Sequence, residues 1–387
     1  MNAFLAKISA FLAGIITIFS PASYTAPTES SVPKPIYPVA KVATTTRPVG
    51  AILKIAEDKE IEPAPAPKLA PKKNPAIEAR AKPSPPSPVQ IKPKDLIPLE
   101  ELHKRVRASI VNILCVTKTG GDLQPISGSG IIISKSGIIL TNAHVVQYML
   151  LKDYEIKDFI SCVGRTGSPA TTAYKIDLLY FPAQWLADNA KMIKQEHPEG
   201  TGENDFALLL ITGSANGNPL PESFPFVEIE TDQKNITGDV PVLLSGYPAN
   251  FLGGIETQRD LWLTSSPSFL TKLYYFNDKE NVDAFSVGSN ILAQKGVSGG
   301  SSVNQWTGRL DGILTTVTQG ATTGERDLMA ISLAHIDRSF KKSTGESLGE
   351  FLNKDPVKSL SVFREKGLPS LIKTLTTAVE STSTPSQ

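Results

Sequence analysis

Cysteine is scarce: the 387-residue chain holds two, Cys115 and Cys162, beside four histidines. At most one internal bridge can form. Each cysteine lies in a strand-like run, Ser-Ile-Val-Asn-Ile-Leu-Cys-Val and Phe-Ile-Ser-Cys-Val-Gly-Arg. A disulfide and two buried thiols in neighbouring strands both fit an exported chain. His103, His144, His197 and His335 are scattered, and none pairs with a cysteine at ligand spacing. No metal and no cofactor is expected. Charge of one sign is also lacking. The formal net charge is +1, and no nucleic-acid partner is expected. Long apolar runs are missing as well. The run Ile8–Phe19 has 12 residues, with Ser9 and Thr17 inside it, which is short for a membrane span.

What is abundant is proline, unevenly placed: 17 of the 30 prolines lie in residues 21–98. That stretch has no sustained apolar period and cannot bury enough surface to offset the entropy of ordering. It reads as an extended linker over residues 23–97. Its 12 Lys/Arg against 7 Asp/Glu give a mild basic excess, which solubility explains, with adhesion to an anionic wall or membrane surface as the alternative. Ahead of it, Lys7, the apolar run and Ser20-Pro21-Ala22 read as a signal peptide over residues 1–22. An uncleaved membrane anchor over residues 3–19 is the alternative. Either places the remainder outside the cytoplasm, periplasmic, at the cell surface or secreted.

Beyond residue 98 the pattern changes. Leu99, Leu102 and Val106 recur at helical spacing. Strands are expected at 109–116, 128–134, 137–142, 160–165, 172–181, 205–211, 240–246, 260–265, 284–287, 301–304, 310–318 and 327–332. An insertion over 182–204 carries a helical stretch, 184–194. Many short strands with Gly/Pro turns point to an all-β pair of barrels. Helices at 333–343 and 346–353 are expected against the second barrel. Leu368, Leu371, Ile372 and Leu375 form a stripe expected to face the core, with a partner-binding helix as the alternative, and residues 378–387 a frayed tail. A domain over 98–345, with 346–387 as a helical extension and tail, follows. Residues 97–355 are expected to suffice for folding and activity.

The chemistry concentrates in Gln-Lys-Gly-Val-Ser-Gly-Gly-Ser-Ser-Val, residues 294–303. A Gly-x-Ser-Gly-Gly turn exposes a hydroxyl and turns backbone N–H groups toward one point. Acyl transfer needs a nucleophile and donors of this kind. Residues 139–146, Ile-Leu-Thr-Asn-Ala-His-Val-Val, bring His144. Residues 203–211, Glu-Asn-Asp-Phe-Ala-Leu-Leu-Leu-Ile, bring Asp205. The order is His144, Asp205, Ser298, at spacings of 61 and 93 residues.

Here the sequence resembles the chymotrypsin/trypsin-like serine peptidases over about residues 99–340. It most resembles the bacterial Deg/Htr-type protease domain, with too few residues left for a PDZ domain. The resemblance implies two six-stranded antiparallel β-barrels with short flanking helices. It also implies serine endopeptidase activity on polypeptide substrates, through a Ser298–His144–Asp205 triad. Asp177 is the rival for the third role, but it lies inside a strand. The oxyanion hole would be the N–H groups of Gly296 and Ser298. The first-pocket wall would fall near Leu292, Thr315, Thr316 and Val317. It carries no acid there, so small or medium apolar residues are the expected specificity. Val297 and Ser301 depart from the family pattern, where a polar residue and a proline are usual. Without a carboxylate at 297, activation through a buried salt bridge to a new amino terminus is not expected. A non-catalytic relative that binds peptides in the cleft is the rival function, and an anchored scaffold a third. Oligomeric state is left open.

Overall fold

Runs such as Ile-Ile-Ile and Ala-Leu-Leu-Leu-Ile are too apolar for a strand with one wet face. The computed structural model explains them: both faces are buried. It describes residues 96–118, 126–194, 202–249, 259–276, 280–317 and 327–381. The leader or anchor and nearly all the linker lie outside the described residues.

Six strands close the first barrel: β1 (Ile110–Thr117), β2 (Ile126–Ile132), β3 (Ile138–Thr141), β4 (Ile160–Thr166), β5 (Thr171–Tyr180) and β6 (Ala207–Ser214). Their order is β1-β2-β3-β6-β5-β4. Side chains alternate along each strand. Val111, Ile113, Ile139 and Leu209 enter one core cluster. Ile110, Ile138, Leu140 and Leu208 enter another, shared with Leu243, Val303 and Ile313 of the second barrel. The second cluster thus joins the two barrels. Cys115 and Cys162 are direct cross-strand partners on β1 and β4. Their sulfurs are bonded, 2.01 Å apart.

The second half forms β7 (Pro241–Gly246), β8 (Thr264–Phe269), β9 (Lys272–Tyr274), β10 (Ala284–Ser289), β11 (Ser301–Asn304), β12 (Leu310–Val317) and β13 (Asp327–Ser332). The order is β8-β7-β11-β12-β13-β10-β9. This is a seven-stranded sheet where a closed barrel of six was expected. The difference is one bend. The sheet's two end strands, β8 and β9, are separated by Leu270 and Thr271 alone. Leu270 exchanges hydrogen bonds with the β7 side, to Val240 and Asp239, while Thr271 N–H donates to Ser286 of β10. One bent segment therefore serves both ends of the sheet. The expected strand at 260–265 is displaced to β8, and β9 was not foreseen. Ser-Ser-Pro-Ser-Phe has no strand-like alternation of apolar residues, so pairing with β7 decides its conformation.

Helix α1 (Leu99–Ser109) buries Leu102 and Val106. Helix α2 (Ala143–Val146) follows β3, and α3 (Ala183–Asn189) leads the insertion. After β13 come α4 (Leu333–Thr344), α5 (Leu348–Leu352), α6 (Pro356–Val362) and α7 (Leu368–Ser381). Leu333, Ile336 and Phe340 of α4 join the inter-barrel core. Helix α7 returns to the first barrel, where Leu371, Leu375 and Val379 share a core with Trp185, Leu186 and Ile193. Ile372, counted in the stripe, is 37% exposed, and Val379 is buried in its stead. The hydrophobic core thus continues well past residue 345.

Candidate active site

Strand β3 ends at Thr141, and the chain turns at Asn142 into α2, which carries His144. Asp205 is fully buried just before β6. Its Oδ2 lies 2.8 Å from His144 Nδ1. Its Oδ1 accepts the His144 backbone N–H at 3.0 Å. Thr315 Oγ1 donates to Oδ2 at 3.2 Å, and Asn142 Nδ2 donates to the Asp205 carbonyl at 2.8 Å. A carboxylate only accepts, so Nδ1 is the ring nitrogen that donates to it, and in the neutral imidazole this tautomer leaves the lone pair on Nε2. Two bonds from one residue, to backbone and ring, fix the imidazole in place.

Ser298 is half-buried on the loop between β10 and β11. Its Oγ donates to the Thr315 carbonyl at 3.4 Å. Thr315 thus touches both Asp205 and Ser298. Among the described residues no hydrogen bond joins Ser298 to His144. A serine hydroxyl changes partner by a single χ1 rotation.

The loop backbone is tightly specified. Gly296 has φ +89°, and a Cβ there would lie 2.6 Å from the Tyr247 carbonyl. Gly299 has φ +83°, and its Cβ would lie 2.0 Å from the Ser129 carbonyl. Neither site tolerates a side chain. The Lys295 carbonyl accepts Ala249 N–H at 2.8 Å, and the Val297 carbonyl accepts Gly300 N–H at 2.7 Å. In a trans peptide the N–H points opposite the carbonyl. The N–H groups of Gly296 and Ser298 are therefore turned away from these acceptors. Among the described residues neither meets a hydrogen-bond acceptor.

Other expected residues fall elsewhere. Leu292 is fully buried with Val297, Leu314 and Leu328 in the second barrel's core, so it shows no surface to a substrate. Burial in that core also accounts for an apolar residue at Val297. The Thr315 hydroxyl serves Asp205. Thr316 and Val317 complete β12, and their side chains lie outside the described residues. Asp177 bonds Arg364 at 3.0 Å and Thr212 at 2.8 Å, away from His144. His335 has its own carboxylate, Asp283, at 2.7 Å, with Arg338 on the same oxygen. Among the described residues no three His, Cys, Asp or Glu side chains converge as a metal site requires. Sequence reasoning missed the Thr315–Asp205 bond. A hydroxyl residue on a strand carries no local signal for a partner 110 residues away.

Residues 128–313 match the family model described as a trypsin-like peptidase domain. Among solved structures, the serine endoprotease from Yersinia pestis is similar at 20% identity, over 64% of this chain and 67% of that one, with a TM-score of 0.39. The structure described as Deg5 is similar at 17% identity, over 62% of this chain and 90% of that one, also with a TM-score of 0.39. No curated protein matches the chain significantly. Residues 128–313 thus carry a trypsin-like peptidase domain, set in the paired β-sheets described above.

Proposed function

We propose that the chain is an exported serine endopeptidase that cuts polypeptides through Ser298, His144 and Asp205. The observation that carries this is the Asp205 carboxylate, which holds both the ring and the backbone of His144. His144 Nε2 takes the Ser298 proton as Oγ bonds to the scissile carbonyl carbon. The carbonyl oxygen becomes negative and is met by the free N–H groups of Gly296 and Ser298. The C–N bond then breaks, and the imidazolium returns its proton to the departing amine. An ester on Ser298 remains. Water, deprotonated by His144, adds to it, and the ester C–O bond breaks to release the acid and restore the hydroxyl.

The test is labelling by a fluorophosphonate probe. Wild-type protein should be labelled at Ser298 and cleave peptides, and Ser298→Ala should do neither while still folding. Unchanged cleavage by Ser298→Ala would overturn the assignment. Export is supported by the bonded Cys115–Cys162 pair, since such bonds persist in oxidising compartments. A tether through residues 3–19 belongs to the same proposal. Recovery of the domain solely from the cytoplasm would refute it.

For specificity we propose cleavage after small or medium apolar residues. Asp311 is turned to Asn304, and Asp327 to Ser286 and Lys272. Among the described residues, an entering Lys or Arg would thus be buried without a dedicated counter-charge. A peptide-library profile dominated by Lys or Arg at the cleaved residue would contradict it.

A further inference from the structure

The carbonyls of residues 295, 296, 297 and 298 are all held. Two holders, the N–H groups of Ala249 and Gly300, come from the second half of the chain. The other two both come from Ser129, on β2 of the first barrel. Ser129 Oγ donates to the Gly296 carbonyl at 2.8 Å. Ser129 N–H donates to the Ser298 carbonyl at 2.8 Å. Ser129 is fully buried. Its Oγ also accepts Tyr247 N–H at 2.9 Å. A hydroxyl has one proton, so with Tyr247 as donor that proton is directed to Gly296. The Ser129 carbonyl is itself held by Thr141 Oγ1 at 2.7 Å. One residue of the first barrel thus spans the nucleophile of the second on both sides of Val297.

Gly296 is the weak point of that loop. At φ +89° it occupies one of several regions open to glycine, and no Cβ restricts it. Its carbonyl belongs to the 296–297 peptide, which lies between the two peptides that carry the Gly296 and Ser298 N–H groups, so its release loosens both neighbours. A donor turned off the line of a developing oxyanion loses most of its value, because hydrogen bonds weaken steeply with angle. We propose that Ser129 is a positioning residue for peptide hydrolysis: its hydroxyl and its N–H clamp the 296–297 and 298–299 peptides from the first barrel, and so steady the adjoining 295–296 and 297–298 peptides that carry the two oxyanion donors. Ser129 touches no substrate in this role. The inference rests on the assignment of Ser298 as nucleophile.

The test measures kcat and KM on a peptide taken from the library screen, together with the rate of fluorophosphonate labelling, in the full-length chain. In Ser129→Ala, kcat and the labelling rate should each fall by about 10- to 100-fold, the range below one lost oxyanion donor. KM should stay within about twofold, since ground-state binding is untouched. Thermal unfolding should remain cooperative. Ser129→Thr keeps the hydroxyl and Ser129→Val is its isostere without one. At equal folded fraction, the Thr variant should exceed the Val variant in kcat by about tenfold or more. That ratio carries the test if the alanine variant folds poorly. Equal kcat in the Thr and Val variants, or a loss in Ser129→Ala that only tracks its folded fraction, would overturn the clamp. Wild-type protein that is not labelled at Ser298 would instead remove the nucleophile assignment, and the clamp with it. Normal labelling of wild type and Ser129→Ala alike would remove the clamp alone.

Discussion

At the scale of single residues, Thr315 and Asp311 sit four positions apart on β12 and have opposite consequences. The Thr315 hydroxyl gives Asp205 a third side-chain or backbone donor to its carboxylate. Thr315→Val keeps the volume and removes the donor, so a buried charge loses a bond worth about 1–2 kcal/mol. Peptidase kcat should fall about tenfold while the fold persists. Steady-state kinetics beside a melting curve would check this. Asp311 is a cost to the fold. Burial pushes its carboxyl from 3.8 up to about 7, with the nearby Glu230 adding to the rise and the Asn304 bond opposing it. A raised carboxyl contributes stability that is complete below its unfolded value. That contribution is lost as pH rises through about 7. Asp311→Asn should therefore be more stable than wild type at pH 8, by on the order of 2 kcal/mol, with the gap closing toward pH 4. Denaturant melts of both proteins across that range would show a constant gap if this is wrong.

At the scale of elements, α7 divides its apolar residues sharply. Leu375 is fully buried in the first barrel's core, whereas Ile372 is 37% exposed. Leu375→Ala should cost about 2–4 kcal/mol, and Ile372→Ala under about 1 kcal/mol. Equal losses in chemical denaturation would mean that the helix does not dock as described. The stripe was legible because helical spacing is a local property. Which of its members meets the core was not, because that depends on the face offered by Trp185 and Ile193. The same limit applies to β8. A run of Ser, Pro and Phe has no period to read, and the neighbouring strand supplies its partners.

At the scale of the whole molecule, the returning C-terminal helices bear on how much of the chain the domain needs. Residues 356–381 include Leu360, Leu371, Leu375 and Val379, all buried. Removing them strips cover from Trp185, Leu186 and Ile193. A chain of residues 97–355 should consequently be far less stable than one of 97–381, by several kcal/mol. A cooperative melt at the same temperature for both would restore the shorter boundary.

The sequence by itself determined the short-range features of this protein. His144 follows a strand, Asp205 opens one, and Ser298 stands between glycines, because turns, strand ends and alternation are written within a few residues. It also determined the β class, since buried strands must be apolar on both faces. Only the tertiary structure decided that Thr315 serves Asp205, that Ser129 holds the carbonyls of Gly296 and Ser298, and that Cys115 faces Cys162. The same holds for the bend between β8 and β9 and for the docking of α7. These are pairings between residues far apart in the chain. They are set by strand register and by how two curved sheets meet, and a one-dimensional pattern carries no record of either.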